Sequence, residues 1–340
     1  LFMKNKMKKG GSMITLIVVI VLVVALCVGA YFLVSSLYEK KLNQNGDVNN
    51  NSSQDNTQDT SKNDEEEISS EPLYTLDNYP KVDASLATQP LTNAFIKNFV
   101  GENVDVSKLD YTNTHPGYVR LINDEVDLIV VTEPSKEELE LAKQKGVELE
   151  VIPVVKEGFV FYVNSNNKVD SLTKDQIQGI YSGEITNWKE VGGEDMEIKP
   201  FQRPTNSGSQ TGMLSLVMKD KKLMDPLKEN LVDTMAQIIN FVSSYENGKN
   251  SIGYSYYYYA TTMYEGIDKE IASNIKLIGI DGVKPNAKTL QNGSYPYTTA
   301  YYIVINKADD ENSPSRKLAN LMLSKRGQQV AKNAGYVPVK

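Results

Sequence analysis

A chain of 340 residues, 40% hydrophobic and 23% charged, has material for one large or two medium globular cores. Its 43 acidic and 36 basic side chains leave a net charge of -7, so a phosphodiester backbone finds no basic footprint and nucleic acid is excluded as an expected partner. A single cysteine and a single histidine exclude an intrachain disulfide and zinc sites of clustered Cys and His. No phosphate-loop, dinucleotide, zinc-protease or nucleophile-elbow signature occurs, so neither a cofactor nor an enzyme of those classes is expected.

Residues 1–12 form a short N-terminal segment carrying Lys4, Lys6, Lys8 and Lys9. Residues 13–34 are uncharged and apolar, and as a helix they would extend roughly 33 Å against a hydrocarbon core of about 30 Å. The run is longer than a secretory signal core, so 13–38 reads as an uncleaved single-pass anchor. The lysines before it put the N-terminus in the cytoplasm and the bulk of the chain outside, on a cell surface of Gram-positive type. Cys27 follows Leu26, where a lipobox needs a small residue, and reads as an apolar helix position. Residues 39–73 are rich in Asn, Gln, Ser, Asp and Glu, the composition of a disordered tether with a reach of roughly 33 Å.

From residue 79 onward strand and helix patterns alternate, which predicts an α/β head. Strands are expected at 126–131, 149–154, 159–163, 275–280 and 301–305. Helices are expected at 91–100, 136–145, 174–182, 208–218, 235–245 and 315–334. Thr88 stands in a capping position before the first of these helices, and Ser207 or Ser209 before the fourth. Free N–H groups and the positive dipole end make both termini potential anion sites. The stretch Arg203-Pro204-Thr205-Asn206-Ser207-Gly208-Ser209 supplies a guanidinium, several hydroxyls and a glycine that admits close backbone approach. Its residues alone suit either a tetrahedral oxyanion or an ordinary turn and helix cap.

An ordered set of segments bears on that choice. Ala87-Thr88-Gln89-Pro90, the strand running from Val126-Asp127 to Glu133-Pro134, Ile177 through Trp188 (IQGIYSGEITNW), Arg203 through Ser209, Ser251-Ile252-Gly253-Tyr254 and Tyr295-Pro296-Tyr297-Thr298 resemble, in order, those of the type II periplasmic solute-binding proteins. Within that family the resemblance is greatest to the phosphate-binding component of phosphate ABC importers, and it covers about three quarters of the chain. It implies a two-lobed clamp whose chain crosses a hinge near 154–158 and 294–299, with 74–155 and 296–340 in lobe 1 and 156–295 in lobe 2. It also implies an oxyanion held by Thr88 from lobe 1 and by Arg203, Ser207, the Gly208 backbone and Ser209 from lobe 2.

Two departures bear on specificity. Thr132 stands where the phosphate binders carry an aspartate that accepts the proton of hydrogen phosphate, and Glu133 next to it would face the opposite way along a strand. His115 falls where a serine-rich turn gives the family's second lobe-1 contact, and is either an added pH-sensitive donor or an exposed loop residue. The acidic partner of the loop arginine is replaced by Thr205. The expectation is a membrane-tethered protein that captures inorganic phosphate or a related oxyanion and delivers it to an ABC permease in the same membrane. The alternative is a sensory or adhesive ectodomain with the same clamp. The tyrosines of 254–259 and Trp188 read as core and packing residues.

Overall fold

The computed structural model describes residues 71–244 and 248–340. The expected cytoplasmic segment, the anchor with Cys27 and the tether up to residue 70 lie outside the described residues. Among the described residues no helix is long and apolar enough to cross a membrane. Residues 71–73 already touch the head: the Leu73 amide donates to the Phe99 carbonyl at 2.7 Å, and Arg326 donates to the Glu71 carbonyl at 2.8 Å.

The chain enters through β1 (Val82–Ala84) and α1 (Gln89–Val100), then α2 (Thr114–Ile122), β2 (Leu128–Val131) and α3 (Lys136–Gln144), before the 16-residue strand β3 (Leu149–Asn164). Beyond it lie β4 (Ser171–Leu172), α4 (Lys174–Ser182), β5 (Lys199–Pro200), α5 (Gly208–Gly212) with a wider π-type turn at Met213–Met218, and α6 (Met235–Ser243). Next come β6 (Ser251–Tyr256), α7 (Tyr264–Ile267), α8 (Lys269–Ser273), β7 (Ile275–Leu277), β8 (Gly279–Ile280) and α9 (Ala287–Gln291). The return runs through β9 (Thr298–Asn306), α10 (Pro314–Leu323), α11 (Lys325–Asn333) and β10 (Val337–Pro338).

Strand β3 joins two sheets. Its first part pairs antiparallel with β9 (Val151 opposite Val304), β9 with β2, and β2 runs parallel to β1. Its last part pairs antiparallel with β6 (Val160 opposite Ser255) and β7, and β6 runs parallel to β5. All four residues of β2 are buried because helices cover both faces of the first sheet. Leu128 and Val130 share a core with Leu91, Phe95 and Phe99 of α1, while Ile129 and Val131 share another with Tyr118 and Leu121 of α2 and Ala142 of α3. In the second sheet Phe159, Phe161, Tyr181 and Tyr254 pack with ring centroids 5.4–6.2 Å apart, the offset and edge contacts that aromatic quadrupoles favour. Trp188 is buried there and donates its indole N–H to the Asn250 carbonyl at 2.9 Å.

Several elements differ from expectation for local reasons. Lys156-Glu157-Gly158 reads as a break between two strands, yet β3 runs straight through it; the irregularity lies instead between Pro153 and Val155, where proline has no N–H for the ladder. Helix α2 is hidden by Pro116 and Gly117, but a proline in the first turn forfeits no intrahelical bond. The expected helix at 315–334 is two helices, because Ser324 leaves helical geometry and caps the second by accepting from the Gly327 amide at 3.2 Å.

Candidate functional site

Where the two sheets meet, a cavity of about 170 Å³ is walled by the turn after β1, the first turn of α2, the end of β2, the loop 203–209 and the start of α6. Each wall is set by local chemistry. Asp83, fully buried in the middle of β1, accepts from the Thr112 amide and hydroxyl at 2.7 Å each and from Arg120 at 2.8 Å, which pins the entrance of α2 beside β1. Tyr118 donates to the Thr132 carbonyl at 2.8 Å and so orients the residue that follows β2. On the other side the Arg203 amide donates to the Tyr254 hydroxyl at 3.0 Å and to the Gln210 side chain at 3.1 Å, and Tyr254 itself donates to Gln210. A buried tyrosine of the aromatic core thereby sets the start of the anion loop.

The loop ends in Ser207, whose hydroxyl oxygen accepts from the Gln210 amide at 3.3 Å and caps α5, leaving its own proton free to donate. Gly208 then comes close to the opposite wall. A Cβ there would lie 2.4 Å from the Thr132 hydroxyl oxygen and 2.8 Å from that of Thr114, so only glycine allows this approach. Tyr256 donates to the Gly208 carbonyl at 3.0 Å and so occupies that acceptor.

Among the described residues, the buried side-chain atoms without a hydrogen-bond partner include Thr132 Oγ1, Arg203 Nε and Ser209 Oγ, and all three residues line this cavity. Unpartnered buried donors carry a large desolvation cost, so their convergence marks a place for an acceptor-rich ligand. Arg203 is the one permanent cation in the lining and forms no ion pair among the described residues; burial pulls its guanidinium below its ordinary value. Asp233 is the one carboxylate in the lining, and its field acts on Arg203 from a segment remote in sequence. Among the described residues no group of three or more His, Cys, Asp or Glu is arranged to hold a metal.

Of the residues expected from sequence, His115, Thr132, Arg203, Ser207, Gly208 and Ser209 meet around the cavity. Thr88 does not: its fully buried hydroxyl donates to the Val130 and Ser85 carbonyls, makes no cap bond to α1, and leaves Ser85 as the hydroxyl residue on that wall. Glu133 faces out of the cavity, where it accepts from Ser215; burial pushes its carboxyl up while that bond draws it back. His115 is not a free loop residue, since its Nδ1 stands 3.0 Å from Glu138 Oε1. Ser85, Thr114, Asp233, Met235 and Tyr256 also line it and were not singled out as ligands. For Asp233 a signal was present: it directly precedes Thr234-Met235-Ala236-Gln237, a capping box that marks a helix start.

Residues 75–325 match the family model described as PBP superfamily domain. The chain is 28% identical over 266 residues to the phosphate-binding protein PstS of Bacillus subtilis, covering 76% of this chain and 80% of that protein. It is 29% identical over 265 residues to PstS of Staphylococcus saprophyticus, covering 76% and 79%. Among solved structures it is similar to a phosphate-bound substrate-binding protein from Clostridium perfringens assigned to a phosphate ABC transporter, with TM-score 0.57, 23% identity and coverage of 76% of this chain and 98% of that one. An ABC-type phosphate transport receptor from Vibrio cholerae gives TM-score 0.55 at 18% identity, with coverage of 75% and 98%. At such identities the structural likeness speaks for the fold alone.

Proposed function

The chain belongs to the PBP superfamily, and from that premise we propose that it is an extracytoplasmic, membrane-tethered solute-binding protein that captures inorganic phosphate, or a similar tetrahedral oxyanion, for an ABC importer. The observation that carries this reading is the set of partnerless buried donors, Thr132 Oγ1, Arg203 Nε and Ser209 Oγ, turned on one cavity between two lobes. A tetrahedral oxyanion presents acceptors in several directions at once, and hydrogen bonds to a charged group are worth about 1.5–3 kcal/mol each. A handful of them offset dehydration of the anion and closure of the lobes. The net acidic chain is no obstacle, because the local field of Arg203 and the backbone amides around Gly208 governs the site. The relatives named as phosphate-binding proteins support the choice of ligand.

In this reading lobe 1 comprises residues 74–155 and 296–340 and lobe 2 comprises 156–295, with the hinge where β3 and the start of β9 lie side by side. Arg203, Ser207, Gly208, Ser209, Thr132 and His115 contact the anion, with Ser85 taking the place first given to Thr88. Residues 13–38 anchor the protein and 39–73 let the head reach a permease in the same membrane. The site captures its ligand and does not transform it.

Isothermal titration with phosphate and with sulfate tests this. Saturable phosphate binding that weakens about tenfold or more in Arg203→Ala is the expected result, because a charge-assisted contact is lost. Binding of neither anion would move the clamp to a sensory or adhesive role. Unchanged affinity in Arg203→Ala would move the site elsewhere.

A further inference from the structure

Hydrogen phosphate and sulfate have the same shape and charge, and differ in that one carries a proton that needs an acceptor. A hydroxyl does not discriminate, because it can turn to donate or accept, so Thr132, Thr114 and the serines of the cavity serve both ions alike. The one histidine of the chain is better placed. His115 lines the cavity with 34% of its side chain exposed, and Nδ1 faces Glu138 Oε1 at 3.0 Å. Glu138 is held on the far side: its side chain is 1% exposed, and Oε2 accepts from the Ser135 amide at 2.7 Å in the capping box of α3.

A carboxylate can only accept, so the ring nitrogen facing Glu138 carries the proton, and the tautomer follows from that contact. The other nitrogen, Nε2, is then a bare lone pair. Resting on the phosphate reading of this site, we infer that His115, fixed as the Nδ1–H tautomer by Glu138, is the acceptor that selects a protonated oxyanion over a proton-free one. Glu138 from α3 is its charged partner, and Arg203 from the loop and Asp233 from just before α6 share the cavity with it.

The test uses the full chain purified in detergent, with inorganic phosphate and sulfate as probes. Because the chain has one histidine, the ring nitrogen shifts in an NMR spectrum report its tautomer without assignment. The expected spectrum is Nδ1–H, and the expected phosphate-to-sulfate affinity ratio falls at least tenfold in His115→Phe. It falls likewise in Glu138→Gln, whose amide donates to Nδ1 and moves the ring proton to Nε2; unchanged circular dichroism shows that both variants fold. An Nε2–H spectrum in the wild type, a wild type without preference for phosphate, or an unaltered ratio in His115→Phe overturns the inference. So does loss of the preference in Asp233→Asn but not in His115→Phe, which would make Asp233 the acceptor. A wild type that binds neither anion instead sinks the phosphate reading, and this inference with it.

Discussion

The hydrogen on the α-carbon of Gly208 is all that stands between the anion loop and the hydroxyls of Thr114 and Thr132. A methyl group there forces the walls of the cavity apart, an overpacking that costs about 1–3 kcal/mol. Gly208→Ala is therefore expected to weaken anion binding roughly 5- to 150-fold by titration calorimetry. Its thermal midpoint should stay near that of the wild type, since the strain falls on the meeting of the lobes and not on either core. Equal affinity in this variant would mean that the loop stands off from lobe 1 when the anion is bound. The serine and threonine hydroxyls at the turn after β1 make the complementary point. Thr88 is fully engaged with backbone carbonyls, and Ser85, three residues earlier, reaches the cavity wall.

Among the elements, α3 links the lobes as well as the site. Its first turn carries Glu137, which accepts from Asn206 of the anion loop, and Glu133 just before it accepts from Ser215 in the turn after α5. These two bonds join α3 and the residues before it to the loop and turn on the other side of the cavity. At about 1 kcal/mol each they amount to no more than roughly a 30-fold change. The double variant Glu137→Ala, Ser215→Ala should release anion faster by up to that factor in stopped-flow measurements, with the association rate little altered. An unchanged release rate would show that the cavity contacts alone keep the lobes together. The ion pair of Asp83 with Arg120 is a different kind of element-level device, tying β1 to α2 across 37 residues. Without Asp83 the guanidinium keeps Asp110 and Glu125, but the Thr112 amide and hydroxyl lose their buried acceptor, so Asp83→Ala is expected to destabilise the head by about 3 kcal/mol in denaturant melts. A loss below about 1 kcal/mol would mean that water replaces the lost acceptor.

At the scale of the whole molecule, the seam between the sheets holds a carboxylate with no ion-pair partner among the described residues. Glu157, 1% exposed within β3, accepts from the Gly158 amide at 2.8 Å and the Tyr258 amide at 3.2 Å, with Tyr301 and Tyr336 around it. Burial, partly countered by those bonds, pushes its pKa from an ordinary 4.5 up to about 7. The folded chain therefore holds this proton more tightly than the unfolded chain does. The resulting stability is fully present below about pH 4.5 and is lost as pH rises toward 7, a contribution of about 3 kcal/mol. Glu157→Gln keeps the acceptor oxygen without the charge. Urea melts across that range should show the wild type losing stability relative to the variant as pH rises. Parallel profiles would mean that the carboxyl is hydrated in the folded state.

How much of this was legible depends on how far apart in the chain the interacting groups lie. The α/β alternation, the buried strand of β2, the capped start of α5 and the chemistry of Arg203 through Ser209 are contiguous patterns, so the sequence by itself determined them. It also marked Thr132 as a residue unable to select for a ligand proton. Whatever depends on a partner from another segment was decided by the tertiary structure. Glu138 lies 23 residues from the ring it orients, Asp233 reaches Arg203 from another loop, and Tyr258 meets Glu157 from 101 residues away. Lys156-Glu157-Gly158 reads as a loop because charge normally seeks water, yet strand pairing carries it through the seam with Lys156 donating to the Gln291 carbonyl at 2.6 Å. Periodicity tells which face of its own element a residue occupies. Sheet register and the meeting of the two lobes decide what that face touches.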